Sequence, residues 1–429
     1  MSRFTKKFFY DKKDVGEFAN KERLAFVTLI KWCFYSIILG VVLGFLGTFA
    51  THAYNFVTNL RLENPWLVYF LPLAGVFIVF LYQIFRQAGN TGSNLIIQSV
   101  QSGEKISFRV IPLIFSGMLL THLCGGSCGR GSANFQMGGS FGNTLGRIFR
   151  LDENDKHVLM GACYAVVFGA PAASSIFAME VVSVGVMHYA AIVPCFLSAI
   201  IARGISKYMG IAATTFSIGD VPSINFASGS KLVLLGIIFA AVSMLYIIAF
   251  ETFSKFFKAV LKNQYLIMAV GGGIVALLTL VLQSNEYLGT GISQIPDLLF
   301  VSAPWYVFLL KILFTAVSLG AGFKGGEIAP AMFVGASLGS FLAPMFGLPI
   351  PLVVACGMAA VFCGVTNSPI TAIVFSVELF GASQIYYTMI CVAVSYLISE
   401  YFSIYKTQKI MYSKYSTTFI NRKSHHIDT

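Results

Sequence analysis

Three glycine-rich stretches carry residue types suited to holding an anion. They are Gly89-Asn90-Thr91-Gly92-Ser93-Asn94, Gly125-Gly126-Ser127-Cys128-Gly129-Arg130-Gly131-Ser132-Ala133 and Gly322-Phe323-Lys324-Gly325-Gly326-Glu327-Ile328-Ala329-Pro330. Each is followed by a run compatible with an α-helix. A glycine-rich turn opening a helix leaves backbone N–H groups free at the positive end of the helix dipole, and that is the chemistry of an anion site. Taken singly, such a turn is more readily a tight re-entrant connection between packed helices. Three in a repeated frame favour convergence on one small anion.

The elements that must position these turns lie in a bilayer. Of 429 residues, 56% are hydrophobic and only 11% charged, against roughly a quarter charged in soluble domains. Uncharged apolar stretches such as Cys33 to Asn55 and Leu232 to Phe250 reach the length of about 20 residues that spans a membrane. Others are short and interrupted by glycine. The 40 glycines of so apolar a chain point to close helix contacts and broken helices. Inside lipid, the amides of the three turns must find a partner.

The chain also repeats itself. Ala170-Pro171 is followed six residues on by Phe177 and nine on by Glu180; Ser368-Pro369 is followed at the same intervals by Phe375 and Glu378. Upstream, Met137-Gly138-Gly139-Ser140-Phe141-Gly142 resembles Val334-Gly335-Ala336-Ser337-Leu338-Gly339, and Thr91-Gly92 is echoed by Thr290-Gly291. Charge orients the halves. The first span of one half ends at the nearly neutral Arg61-Leu62-Glu63, whereas that of the other ends at a loop with Lys255, Lys258 and Lys262. The expectation is an all-α polytopic membrane protein with an inverted-topology repeat, which places a site near the midplane between broken, re-entrant helices. The expected divisions are a basic N-terminal segment 1–30, a first membrane repeat 31–228, a second, inverted repeat 229–405 and a short tail 406–429.

Net charge is +11, concentrated at the ends, with Arg3, Lys6, Lys7, Lys12 and Lys13 before the first span and Lys406, Lys409, Lys414, Arg422 and Lys423 after the last. Both termini are therefore expected to be cytoplasmic, with no need of a nucleic-acid partner. No cleavable signal is expected, since the first apolar run is too long for one. The eight cysteines (33, 124, 128, 163, 195, 356, 363 and 391) lie in apolar segments without metal-ligand spacing and read as packing residues. No metal or cofactor is expected, and His425 and His426 belong to a hydrophilic tail. Glu180 and Glu378, at equivalent positions, read as structural hydrogen-bonding groups. Lys311 reads as a snorkelling side chain or the partner of a glutamate.

At these residues the chain resembles the CLC family of chloride channels and anion/proton antiporters over roughly residues 31 to 405. Ser93-Asn94-Leu95-Ile96, Gly325 to Pro330, Glu378-Leu379-Phe380-Gly381 and Ser403-Ile404-Tyr405 look most like its fluoride-exporting branch. The resemblance implies an anion site formed by Thr91, Gly92, Ser93, Asn94, Gly131, Ser132, Ala133, Gly326, Ile328, Ala329 and Tyr405. It implies that the Tyr405 phenol closes the inner side and that Phe323 lines the pore. Arg130, beside the turn, reads as enriching the anion path electrostatically, the alternative being an anchor at the cytoplasmic edge. A homodimer with one pathway per subunit, in the plasma membrane, is implied too.

Three departures shape the expected mechanism. Thr91 stands where chloride-type members have serine and the fluoride branch tends to have methionine. Ala329 stands where that branch often has threonine. Gly131 stands where family antiporters place the glutamate that shuttles a proton, the register being set by Gln136-Met137-Gly138-Gly139; the inner relay glutamate is also absent, Val181 following Glu180. A coupled exchange needs a titratable group that trades places with the anion. Passive, uncoupled transport of fluoride or chloride is therefore expected. The alternatives are a fluoride/proton antiporter in which Glu327 handles protons and a cation-coupled solute transporter with inverted repeats. An enzyme is not expected, as no nucleophile–base or metal constellation recurs within the spans.

Overall fold

The structure, a computed structural model, describes residues 12–87, 89–90, 92–102, 106–152, 155–156, 158–159, 170–219 and 221–424, with side chains described from residue 21 onward. Thr91, Cys163, His425 and His426 lie outside them. The first half runs α1 (Lys12–Glu63), α2 (Leu71–Ile84), α3 (Ser93–Ser102), α4 (Val110–Leu123), α5 (Gly131–Ile148), α6 (Pro171–Glu180) and α7 (Ile192–Tyr208). The second runs α8 (Phe226–Val260), α9 (Gln264–Leu282), the one-turn α10 (Ile295–Leu298), α11 (Val307–Ala321), α12 (Ile328–Phe346), α13 (Ile350–Thr366), α14 (Pro369–Phe380) and α15 (Ile385–Ile398).

Among the described residues, six apolar segments, including those of α1, α8, α9 and α12, are long enough to cross a bilayer. Others are not. At about 1.5 Å of rise per residue, the 10 residues of α3 and the 10 of α6 reach only about half of the roughly 30 Å hydrocarbon core. These are the expected broken helices, and they end inside the protein, where their backbone groups meet other protein. Large apolar side chains such as Phe34, Phe45, Phe77, Leu234 and Leu277 are exposed along the long helices, as a lipid-facing surface requires. By contrast α12 and α13 are buried almost throughout and pack against each other at Gly335 and Gly357, where an added Cβ on Gly335 would lie 2.2 Å from the Gly357 carbonyl oxygen.

The repeat is visible in the helices. α6 and α14 each open on a proline, after Ala170 and Ser368. α5 and α12 open after the second and third glycine-rich turns. Gly92 and Gly291 share the left-handed conformation, with φ of 70° and 78°, which a residue with a Cβ adopts only at a cost. The halves grip each other through equivalent residues. The Glu180 carboxylate accepts from the amides of Ile370 and Thr371 at 3.1 and 2.9 Å, and Glu378 accepts from those of Ala172 and Ala173 at 3.0 and 2.8 Å. Each glutamate thus caps the first turn of the other half's helix, placing an anionic group on the positive end of its dipole. The structural reading of both residues holds.

One expectation needs correcting. Lys311 neither snorkels nor meets a glutamate: it is fully buried, and its ammonium donates to the carbonyls of Tyr287, Leu288 and Gly289 at 3.0, 3.4 and 2.8 Å. The described residues are mostly helical, as expected. A small sheet joins β1 (Ser183–Val184), parallel, to β2 (Lys409–Tyr412), and β2, antiparallel, to β3 (Phe419–Lys423). The segment after the last helix is thereby fastened to the body. Lys406 pairs with the buried Glu251 at 3.5 Å, and Gln408 donates to the carbonyls of Val181 and Thr366. The described cysteines are all free and, apart from half-buried Cys33, buried.

Candidate anion site

The second and third turns meet back to back. The Gly129 amide donates to the Gly326 carbonyl and the Gly326 amide to the Gly129 carbonyl, both at 2.6 Å, in an antiparallel bridge. The spacing of these two glycines is that of Met137 and Val334 in the repeat. Equivalent residues therefore pair with each other, as they do on a local twofold axis. An added Cβ on Gly326 would lie 2.8 Å from the Ser132 amide nitrogen, and one on Gly129 would lie 2.9 Å from the Ala329 Cβ and 3.4 Å from the Ala329 amide nitrogen. Each half's glycine leaves open the amide face that starts the other half's helix.

The first turn joins them through side chains. Ser93, the first residue of α3, and Ser132, in the first turn of α5, share a hydroxyl–hydroxyl bond of 2.6 Å, and Gln136 donates to the Ser132 hydroxyl at 3.2 Å. One of the two serine protons is spent in the shared bond; the other is left to donate elsewhere. Gly92 approaches closely enough that an added Cβ would lie 3.7 Å from Gln136 Nε2. Three helix N-termini, those of α3, α5 and α12, thus gather around one region.

Beside them is a cavity of about 90 Å³ bordered by Arg130, Gly131, Ile328 and Ala329, with Met332, Met358 and Phe375 among its apolar walls. Thr214 and Phe216 close it from the segment before α8. A second cavity of about 210 Å³ is lined by Arg130 and Arg203, with Asn134, Glu378 and Thr214. Arg130 borders both and stacks over the Tyr54 ring, 5.3 Å from its centroid. A guanidinium bordering both cavities makes the local potential there more positive.

Glu327 sits immediately before α12. Its backbone carbonyl accepts from the Tyr246 phenol at 2.7 Å, while its carboxyl oxygen Oε2 is buried with no hydrogen-bond partner among the described residues. Tyr405, itself buried, lies within electrostatic reach of that carboxyl group, as do Tyr246 and Cys128.

Of the expected site residues, Gly92, Ser93, Gly131, Ser132, Gly326, Ile328 and Ala329 are gathered at the three turns, with Ala133 fully buried in the first turn of α5. Asn94 turns its side chain elsewhere: its carbonyl oxygens accept from Thr407, through the amide and hydroxyl, which ties α3 to the segment just past Tyr405. Phe323 lines neither cavity; its ring is directed at α2, where an added Cβ on Gly75 would lie 3.0 Å from Cζ. Sequence reasoning missed Tyr246, Arg203 and the Thr214–Phe216 wall. Tyr246 lies in an ordinary apolar span, and a phenol at lipid-spanning depth was the available signal.

Residues 74–400 match the family described as voltage gated chloride channel. The chain is 33% identical over 414 residues to a chloride/fluoride channel protein of Pseudomonas syringae pv. tomato, covering 94% of this chain and 91% of that one. It is 26% identical over 413 residues to an H(+)/Cl(-) exchange transporter of Yersinia pseudotuberculosis, covering 88% and 85%. Among solved structures, a CLC-type fluoride/proton antiporter superposes with a TM-score of 0.84 at 32% identity, covering 89% of this chain and 98% of that one.

Proposed function

We propose that this chain, which belongs to the voltage gated chloride channel (CLC) family, carries fluoride or chloride across a membrane by a passive route past the N-termini of α5 and α12. The observation that carries this reading is the reciprocal Gly129–Gly326 bridge, which opens two first-turn amide faces beside one small cavity. A dehydrated anion there exchanges water for N–H donors and the spare serine proton, so its desolvation is offset without a fixed countercharge. Arg130 concentrates anions at the cavity mouth. Thr91 and Tyr405 supply hydroxyls to the central ion. Gly131 leaves the path without a carboxylate that would compete with the anion or carry a proton, so flux is uncoupled.

The remaining expectations follow the same reading. The protein works as a homodimer with one pathway per subunit, in the plasma membrane, with both termini cytoplasmic. A second reading is favoured by one observation, the buried Glu327 Oε2 without a hydrogen-bond partner among the described residues: such a carboxyl oxygen inside a membrane can take up a proton, and a similar solved structure is that of a CLC-type fluoride/proton antiporter.

The test is flux from liposomes containing the purified protein. Chloride or fluoride should leave when the membrane potential is clamped, and potassium should not. Potassium efflux without anion efflux would overturn the assignment.

A further inference from the structure

We infer that the larger of the two cavities at Arg130 is an anion-binding site in its own right, in which the Arg203 guanidinium holds a small inorganic anion before it passes to the smaller one. The two cavities have Arg130, Thr214 and Leu379 in common, so they adjoin, with Arg130 at the join. The smaller, about 90 Å³, is walled mainly by apolar side chains; the larger, about 210 Å³, adds Arg203, Thr51, Asn134 and Ser206. A water molecule takes about 30 Å³ in the liquid, so the larger cavity has room for an anion that keeps part of its hydration shell. The smaller offers less than half that space and few groups to replace the water.

Charge points the same way. Arg203 lies near the end of α7, within an apolar segment long enough to span a membrane, where an ionisable side chain is costly unless it is paired or used. Neither Arg203 nor Arg130 has an ion pair among the described residues. Arg203 commits one N–H, its Nη1 donating to the Ile211 carbonyl at 3.1 Å, out of the five that a guanidinium carries. The Arg130 guanidinium lies over the Tyr54 ring and makes no hydrogen bond among the described residues. Glu378 is the single carboxylate among the described residues lining the cavity, and its two oxygens are taken by the amides of Ala172 and Ala173 at 3.0 and 2.8 Å. Two guanidinium groups with N–H donors to spare therefore border one cavity, a donor set that suits an anion and repels a cation.

The role of this site rests on the transport reading but its occupancy does not, so the two are measured apart. Crystals of the full chain grown in bromide should show an anomalous peak in the larger cavity, within hydrogen-bonding distance of the Arg203 guanidinium. Arg203→Gln keeps an N–H for the Ile211 carbonyl but removes the charge, whereas Arg203→Lys keeps the charge. The peak should be lost in the first and kept in the second. The anion concentration giving half-maximal flux from liposomes should rise about tenfold in Arg203→Gln alone, the loss of one charge-assisted hydrogen bond. No peak in the unaltered protein overturns the site, and so does any other pattern across the two variants; a like response to both would make Arg203 only an anchor of the segment after α7. A peak without the shift in half-maximal concentration is an adventitious ion only and overturns it too. If the unaltered protein carries no anion at all, the transport reading fails and the peaks alone decide the site. Should Arg203→Gln fail to fold, the peak in the unaltered protein decides.

Discussion

A methyl group on residue 129 would lie 2.9 Å from the Ala329 Cβ and 3.2 Å from the Gly326 carbonyl oxygen, so the bridge between the two turns tolerates only glycine. Gly129→Ala should cost about 1–3 kcal/mol, the usual penalty for overpacking a rigid contact, read as a lower thermal midpoint together with reduced anion flux. An unchanged midpoint would mean that the turns are free to separate. On the proposal that the Thr91 hydroxyl donates to the central ion, a thioether in its place removes one neutral hydrogen bond of about 1 kcal/mol, roughly fivefold in affinity. Thr91→Met should therefore shift selectivity from chloride toward fluoride, measured as the ratio of the two fluxes. The glycine turns were legible because glycine and proline declare backbone geometry locally; Thr91 lies outside the described residues. The direction of Phe323, the commitment of Asn94 to Thr407 and the burial of Lys311 depend on partners far along the chain, which local pattern does not specify.

Crossed capping is the main device at the scale of elements. Glu378 accepts two amide bonds from the start of α6, and Glu180 accepts two amides and the Thr371 hydroxyl at the start of α14. Glu378→Gln leaves one good acceptor and a donor facing an N–H, and should cost about 1–3 kcal/mol by thermal melting. Glu180→Gln should cost a similar amount at the mirror position. The equal spacing of the two prolines and two glutamates made the pairing of halves readable; it did not reveal that each glutamate serves the opposite half. The sheet was not readable at all, since β1 has 2 residues and β2 has 4, too short for an alternating pattern. Beyond the last helix, the Lys414 ammonium donates to Asn367 Oδ1 at 2.6 Å and to the Tyr396 carbonyl at 2.8 Å. Burial pulls it down to about 7 from an ordinary 10.5. Between those values the unfolded chain binds more protons than the folded one, so stability should rise as pH climbs from 7 toward 10.5 and level off above. A melting midpoint that rises from about pH 7.5 to about pH 9.5, and does so less in Lys414→Met, would bear this out; equal slopes would contradict it.

Across the whole molecule, two opposed halves meet at a local axis marked by the Gly129–Gly326 bridge, and the proposed anion route runs past the cavity beside it. The bordering residues Gly131, Ile328 and Ala329 contribute no titratable group; Glu327, one residue away, is the nearest carboxyl group in the sequence. The proposal of uncoupled anion movement turns on that difference, and one experiment addresses it. Protein in liposomes holding a pH-sensitive dye is given a fluoride or chloride gradient at clamped potential, beside Gly131→Glu and Glu327→Gln variants. The account predicts fast anion flux without uphill proton movement in the unaltered protein and slower flux in Gly131→Glu. Protons driven against their gradient at a fixed ratio to the anion, and lost in Glu327→Gln, would contradict it and establish Glu327 as the proton carrier.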